Sequence, residues 1–587
     1  MKYSIPRQIE PEFESDGIVF FAQRLEEMLS NCSDDLYKMP LLNTHSLASE
    51  YCKVAKMVDE GVLKEQYRTE VYNEFVHSFG SDIVLKENWG LENVERVTKS
   101  FGSCNQKKKN NVIAYIDATL DSKYLDWTKQ TILKYTGCYK EKKKIEAALR
   151  CFLPELIMWG YDPEFIHTTL DKYFFKGTTL NSRTVEDFLN IFNLKYYNYK
   201  VYFSVSASVQ NFREILEKRL NVCFEDDGNF SSFKCPSNKI IVYFENVREC
   251  CPNSAAKRAY GYLDMFFSFY KYVGNKKSLS MQNKAMVIKD DERPVFVGAK
   301  RQAFTVIEQK NYAEIGVQTD TLITGVLSNA MNEYLMISKA IDLHNTALSV
   351  ADLKSGFLNL WSSLEVLAQD QDASNKLGPV LDLVIPILKK DYIVKRITEL
   401  NRALKDNLSE KDYQYIYDQI DGEGCEKKKT FQLVYLDRYS SLREELFEKL
   451  SAIPLVRSRI CMLSSANTTK KLNAEVTAYT QRVKWHMYRM YRTRNAIAHS
   501  GDDPDNLKYL GEHLHSYLDA TANELIVKLS GEIPFCTRED IITDLSFAIA
   551  RLDSCLEKDV PIDEEVINLL IHPEIGYVMH CGQHKKE

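Results

Sequence analysis

The spacing of apolar residues along the chain predicts a mostly helical protein with one short stretch of strands. From Gly17 to Trp159 apolar positions recur every three or four residues, which is the period of an amphipathic helix. Between 197 and 309 the pattern changes, and a helix over Ala255–Val273 is interleaved with segments rich in Val, Ile, Tyr and Phe. Those segments predict strands over Lys200–Ala207, Lys239–Val247, Ala285–Lys289, Pro294–Val297 and Ala303–Ile307.

After Thr319 the strand pattern stops and long helical patterns predict a bundle. The predicted helices run over Leu322–Leu348, Asp352–Gln369, Asn473–Ala498 and Leu507–Leu529. A connection of about 100 residues between Asp370 and Asn473 interrupts the bundle. It contains a predicted helix, Asp391–Leu404, and a polar run at 421–430 that predicts a loop. The residues after Ser530 predict a helical tail.

Together these patterns predict the α+β class, mostly helical, with four regions along the chain. They are a mainly helical region at 1–190, a small α+β domain at 191–318, a helical bundle at 319–530 with an insertion at about 371–472, and a helical tail at 531–587. With 587 residues, 44% of them hydrophobic, the chain is long and apolar enough to form several packed domains. This composition excludes a protein that is mainly disordered.

Charge and motif content narrow the function classes further. The chain has 76 basic and 82 acidic residues, so any surface for nucleic acid must be a local patch. Fourteen cysteines without a CxxC pair, and no apolar run of membrane-spanning length, predict a cytoplasmic protein with reduced thiols and no membrane contact. Because GxxxxGK[ST] and HExxH are absent from the sequence, we expect no cofactor and no metal.

One segment, Arg494–His499 with the sequence RNAIAH, stands out chemically. Arg494 falls on the apolar stripe of its predicted helix, where a buried guanidinium is costly unless an anion meets it. The other members of that stripe are Val476, Val483, Met487, Met490 and Ile497. Glu365 is the only acid between Leu353 and Ala368 and shares a stripe with Trp361, so we expect it to face Arg494 or His499.

The same helix is rich in positive charge. No acid occurs between Val476 and Gly501, which predicts a local patch that attracts phosphate. Lys484, Arg489 and Arg492 are the candidate RNA-binding residues of this patch. His486 is placed on the polar side of the helix, where a solvent-exposed role is expected.

Two structural interpretations stand beside the chemical one. Arg494 and Glu365 can form an ion pair that only stabilises the bundle. His499 can cap a helix C-terminus, since an imidazolium there meets the negative end of the helix dipole. Periodicity alone favours these interpretations.

The segment YRTRNAIAHSG, preceded about 130 residues earlier by FLNLWSSLEVL, resembles the HEPN superfamily, specifically the Apea-like branch found in bacterial anti-phage defence proteins. The resemblance covers roughly 319–530. Arg494, Asn495 and His499 match the family motif, and Glu365 matches an acid often seen on the earlier bundle helix. Arg492 fits a looser spacing and ranks second. Ser500 and Gly501 follow the histidine, so the variant with a Tyr two residues after it is not supported.

The resemblance implies a metal-independent RNA endonuclease whose products carry 2′,3′-cyclic phosphate. It also implies a homodimer through the C-terminal bundle, RNA as the partner, either tRNA or mRNA, and a role in anti-phage defence or abortive infection. The first 320 residues would then sense a phage-derived trigger or inhibitor. The alternative is a non-catalytic RNA-binding or dimerisation bundle within a defence or toxin–antitoxin complex, and a weaker one places the activity in the α+β region.

Overall fold

Helices make up most of the chain, and one small sheet lies between the N-terminal helices and the C-terminal helices. This computed structural model describes residues 1–574 with gaps at 11–13, 31–32, 35, 178, 226–237, 275–278, 291, 351, 369–376, 422–424, 501–505 and 531–536. Between 300 and 330 it describes only Phe304 and four other single positions. The predicted strand Ala303–Ile307 therefore lies outside the described residues except for Phe304, and so does the start of the predicted helix at 322–330 except for Ile323. The tail beyond 574 also lies outside them.

The N-terminal region is helical, as its periodicity predicts. Its helices are α1 (Asp16–Leu29), α2 (Thr44–Asp59), α3 (Glu65–Ser81), α4 (Ile83–Asn88), α5 (Leu91–Phe101), α6 (Gln106–Asp121), α7 (Tyr124–Thr136), α8 (Lys142–Met158), α9 (Pro163–Leu170) and α10 (Thr184–Asn190). Helix α2 begins with a capping box, in which the Asn43 side chain accepts from the backbone N–H of Ser46 and the Ser46 hydroxyl accepts from the backbone N–H of Asn43.

The sheet is antiparallel throughout, with strand order β2-β3-β1-β4-β5. Its elements are β1 (Tyr197–Ser206), α11 (Arg213–Leu220), β2 (Val222–Phe224), β3 (Lys239–Glu249), α12 (Pro252–Val273), β4 (Lys284–Lys289) and β5 (Val295–Gly298). Helix α12 covers one face of the sheet with Ala255, Ala259 and Leu263, all fully buried. The sequence pattern missed β2, a strand of three residues at the sheet edge.

The C-terminal region is helical as predicted. Its helices are α13 (Met331–Ser349), α14 (Leu353–Leu367), α15 (Leu377–Asn407), α16 (Glu410–Asp418), α17 (Glu426–Tyr435), α18 (Ser440–Lys449), α19 (Pro454–Ser465), α20 (Thr469–Ser500), α21 (Leu507–Ser530), α22 (Arg538–Leu556) and α23 (Glu564–Ile571). Among the described helices, none has the length and apolarity that crossing a bilayer requires.

Two details of the insertion differ from the sequence prediction. Helix α15 begins at Leu377 and continues through Pro386, well before the predicted start at Asp391, because Val384 and Ile387 on either side of the proline are fully buried. The polar run predicted as a loop becomes helical from Glu426, since the second half of α17 is buried in the core. Tertiary burial overrides local polarity at both places.

The hydrophobic cores cut across the four regions expected from the sequence. One core joins α1 and α8 of the N-terminal region to the insertion helices and to α23. A second core is formed by the bundle helices α13, α14, α20 and α21 with the first half of α15 and part of α22. The insertion thus packs on the N-terminal region as well as on the bundle.

Candidate active site on helix α20

Helix α20 presents an apolar stripe to the bundle, and Arg494 lies on that stripe. The apolar members, each at most 7% exposed, are Val476, Val483, Met487, Met490 and Ile497. Arg494 follows Met490 by one helical turn, and its side chain is 24% exposed. The helix therefore points Arg494 toward the bundle, as its spacing predicts, while leaving part of the guanidinium open to solvent.

Glu365 meets Arg494 from the neighbouring helix α14. This helix starts at the N-cap Asp352 and buries Trp361 completely, which turns Glu365 toward α20. The Arg494 Nη2 atom lies 3.6 Å from Glu365 Oε2, and Arg494 Nη1 donates to Asn495 Oδ1 at 3.1 Å. Within the described chain, Glu365 Oε1 is buried without a hydrogen-bond partner. The expected juxtaposition of Glu365 and Arg494 is confirmed.

Arg489, five residues earlier on the same helix, is a buried arginine held by carboxylates, although its Nη1 atom has no hydrogen-bond partner among the described residues. Its side chain is 3% exposed, and it donates from Nε and Nη2 to Glu50 at 2.8–3.2 Å and from Nη2 to Glu74 at 2.6 Å. Two carboxylates hold it, whereas Arg494 has one at a longer distance. Arg494 is also 24% exposed, so its guanidinium can reach an anion from solvent, whereas the remaining Nη1 atom of Arg489 is buried.

The basic residues that were predicted to form a phosphate-attracting patch are paired with acids of α2 and α3. Arg492 is ion-paired with Glu50, and Lys484 Nζ lies 3.3 Å from Glu70 Oε1. Burial lowers the pKa of Arg492, an effect that the adjacent Glu50 opposes. Acids of α2 and α3 thus offset the positive charge that the helix carries on its own. Arg489 and Arg492 are largely buried, whereas Lys484 remains 38% exposed, so this conformation leaves only part of the predicted RNA-binding surface open.

Aromatic side chains add to the contact between α3 and α20. Tyr67 stacks on Tyr491 with ring centroids 6.4 Å apart, and it meets Tyr488 edge-on at 6.3 Å. Tyr491 in turn packs against Trp361 at 5.7 Å. The N-terminal region therefore rests directly on the helix that carries the RNAIAH segment, through both ion pairs and rings.

His499 is exposed and lies in the last turn of α20. Because an α-helix turns about 100° per residue, side chains five residues apart diverge by about 140° around the axis. Arg494 faces α14, so His499 points away from that contact. One chain alone does not bring the two side chains to the same point on the helix surface.

His486 is not exposed, contrary to the sequence prediction. Its side chain is 5% exposed, and its Nδ1 atom lies 2.9 Å from the hydroxyl of Tyr517. Its ring packs against His513 with centroids 4.9 Å apart. Burial, and next the charge of His513, lowers the pKa of His486 well below its usual value. His486 is a neutral core residue.

The sheet region has a cleft of about 1250 Å³ beside β2 and β3. Its lining includes four arginines and several rings, among them Arg248, which lies 5.7 Å from the ring of Tyr196. The one thiol in the lining is Cys223, and burial raises its pKa. A protonated thiol is a poor nucleophile. The lining also contains Glu217 and Glu245, and Arg213 and Arg258 are ion-paired with Glu217 and Glu249, so the charges in the cleft are mixed.

The chain was compared with protein-family models, with curated proteins and with solved structures, and no match was found in any of the three.

Proposed function

We propose that the protein is a metal-independent RNA endonuclease whose catalytic set is Arg494, Asn495 and His499, with Glu365 positioning the arginine. One observation carries the proposal. The Arg494 guanidinium is partly exposed, is held loosely at 3.6 Å by Glu365, and lies on the same helix as the exposed His499. The sequence resemblance of RNAIAH to HEPN ribonucleases supports the same assignment.

The chemistry follows from the groups present. A ribose 2′-hydroxyl attacks the adjacent phosphorus and the 5′-oxygen leaves, which gives a 2′,3′-cyclic phosphate and a free 5′-hydroxyl. A neutral His499 takes the 2′-hydroxyl proton, or a protonated His499 gives a proton to the leaving oxygen. Arg494 stabilises the negative charge that develops on the phosphate, and Asn495 orients it. DNA lacks the attacking hydroxyl and should not react.

A homodimer fits this chemistry. One histidine cannot act easily as base and acid in the same step, and Arg494 and His499 diverge by about 140° around α20. Two copies related by a two-fold axis would place an Arg494 of one chain near a His499 of the other. We therefore propose a composite cleft at a bundle interface.

The N-terminal region is proposed to restrain this cleft until a phage-derived signal arrives. Support comes from the ion pairs of Glu50 and Glu74 with Arg489, which tie α2 and α3 to the helix of the active site. In this proposal the protein acts in the cytoplasm on tRNA or mRNA as part of anti-phage defence.

The test is RNA cleavage by purified wild type, by His499→Ala and by the matched control His77→Ala, with equal amounts of total RNA. His77 is also exposed and belongs to α3, and its ring packs on Trp485 of α20 with centroids 5.5 Å apart, so its loss tests for the effect of removing an exposed histidine beside the same helix. We expect wild type and His77→Ala to cut RNA and His499→Ala to lose cleavage by 10²-fold or more. Equal cleavage by all three proteins would refute the assignment of His499.

The second candidate is a non-catalytic bundle in which Arg494 and Glu365 only stabilise packing. The favouring observation is the ion pair itself, which joins α14 to α20. This candidate predicts that the wild type binds RNA without cutting it, both alone and with phage lysate present. It also predicts that Arg494→Ala lowers the melting temperature as much as Glu365→Ala does.

A further inference from the structure

Two histidines and an aspartate from separate helices converge at one point of the bundle. His344 of α13 and His515 of α21 bring their Nε2 atoms to 2.8 Å, although they are 171 residues apart in sequence. Asp519, one turn after His515, lies with Oδ1 3.4 Å from His344 Nε2 and Oδ2 3.4 Å from His515 Nε2. The three ligand atoms all lie within 4.8 Å of one another.

We propose that His344, His515 and Asp519 bind a divalent transition-metal ion of the zinc class. Two imidazole nitrogens and one carboxylate oxygen are ligands that Zn²⁺ accepts. With Zn–N bonds of about 2.0–2.1 Å in a tetrahedral site, two nitrogens lie about 3.3 Å apart. The two rings therefore need to separate by only about half an ångström to admit the ion.

Exposure at the site allows the ion to enter and leaves room for a fourth ligand. His515 is 3% exposed and fixed in the core, while His344 is 23% and Asp519 47% exposed. The site is therefore anchored on one side and open to water on the other. A water molecule can complete the tetrahedron from the open side.

The surroundings of His515 provide a second, independent observation. Within the described residues, His515 Nδ1 and Glu512 Oε1 are both buried without a hydrogen-bond partner. These atoms belong to consecutive turns of α21, and Lys38 Nζ holds the other oxygen of Glu512 at 3.0 Å. Histidines that bind metal through one nitrogen usually donate the other N–H to a carboxylate. We assign that role to Glu512, three residues before His515 on α21, although the two atoms are not hydrogen-bonded to each other in this structure.

A metal-free interpretation makes the two histidines share one proton. It accounts for the 2.8 Å distance, and it agrees with Asp519 raising the pKa of His344 and burial lowering the pKa of His515. It leaves His515 Nδ1 and Glu512 Oε1 without a role. Because a proton competes with the metal for His344, metal binding should be measured at about pH 8.

The ion would join α13 to α21 within the bundle, so its expected effect is on stability rather than on the cleavage step. Metal binding to the folded state alone raises the melting temperature. This consequence is independent of the proposed ribonuclease, since neither His499 nor Arg494 belongs to the ligand set.

The experiment uses the full chain with His580→Ala, Cys581→Ser and His584→Ala, because these tail residues can hold metal by themselves. The protein is stripped with EDTA, dialysed against Zn²⁺ at about pH 8, and its metal content and melting temperature are measured. We expect one Zn²⁺ per chain and a higher melting temperature than for the stripped protein. Substoichiometric zinc would overturn the proposal.

Variants of the same tail-substituted protein locate the ion. Asp519→Asn and His515→Ala should both lose the bound zinc, whereas His77→Ala should keep it. Because Asp519 is nearly half exposed, Asp519→Asn is expected to fold. It therefore still tests the ligand set if His515→Ala does not fold. Co²⁺ loaded in place of Zn²⁺ should give the visible absorption of a tetrahedral site in the parent protein and in His77→Ala, but not in Asp519→Asn or His515→Ala. Zinc retained by Asp519→Asn at full stoichiometry would refute this ligand set.

Discussion

Replacing Glu50 by glutamine should loosen the contact between α2 and α20. The Glu50 carboxylate accepts from Arg489 at 2.8–3.2 Å and also pairs with Arg492, so it serves two guanidiniums at once. Glutamine keeps the shape and one acceptor oxygen but removes the negative charge. Of the described carboxylates that pair with these two arginines, only Glu74 would keep its charge, and it pairs with Arg489 at 2.6 Å.

The expected cost can be worked out from burial. Arg489 is 3% and Glu50 18% exposed, which places the pair among buried ion pairs. Breaking such a pair costs about 3–5 kcal/mol, and we expect about 3 kcal/mol because Glu74 remains and the amide still accepts. The matched control is Glu70→Gln. Its partner Lys484 is 38% exposed, so that change should cost about 1 kcal/mol or less.

Hydrogen exchange of the backbone amides in α2 and α20 measures the loss of stability in Glu50→Gln and in Glu70→Gln directly. About 3 kcal/mol corresponds to a loss of protection of about 100-fold or slightly more, and 1 kcal/mol to about fivefold. We expect Glu50→Gln to lose protection on both sides of the contact and Glu70→Gln to change little. Similar losses in the two variants, or a loss below about fivefold for Glu50→Gln, would refute the view that this network holds the regions together.

Two further predictions concern the core. Burial and His513 lower the pKa of His486, so the unfolded chain binds a proton that the folded chain does not, and stability should fall as pH drops below about 6.5. His486→Gln should therefore lose less melting temperature between pH 7.5 and pH 5.5 than wild type does, and an equal loss would contradict this. A Cβ on Gly17 would lie 2.4 Å from the Thr136 carbonyl oxygen, so Gly17→Ala should lower the free energy of unfolding, measured in urea, by about 1–3 kcal/mol. Gly137→Ala is the control and should leave that free energy nearly unchanged, because the space around its Cβ is open.

The sequence predicts the elements of this fold better than their assembly. Helix α21 at Leu507–Ser530 agrees with its prediction to one residue, because apolar periodicity is a local property that each helix carries. Helix α15 passes through Pro386 because burial from distant elements stabilises it, and no local pattern records that burial. The same reason explains why the insertion packs on the N-terminal region.

In the candidate site too, the sequence does not predict which distant residues pack together. Glu365 could be matched to Arg494 because its helix offers no other acid. Arg489 binds acids that lie more than 400 residues earlier in the sequence. The periodicity of α20 predicts which face of the helix is apolar, but it does not predict which carboxylates pack against that helix. The His344 cluster was missed for this reason too. Its only local signal was the four-residue spacing of His515 and Asp519, which places them on one helix face.

The chemistry of the product ends tests the proposed ribonuclease most directly. Purified wild type is incubated with total RNA in excess EDTA, with and without phage lysate, beside His499→Ala, and the new 3′ ends are mapped. We predict 2′,3′-cyclic phosphate ends in wild type alone, with no cleavage of DNA and none by His499→Ala. Ends bearing a 3′-hydroxyl, cleavage that EDTA abolishes, or no cleavage by wild type under either condition would contradict a metal-independent ribonuclease built on Arg494 and His499.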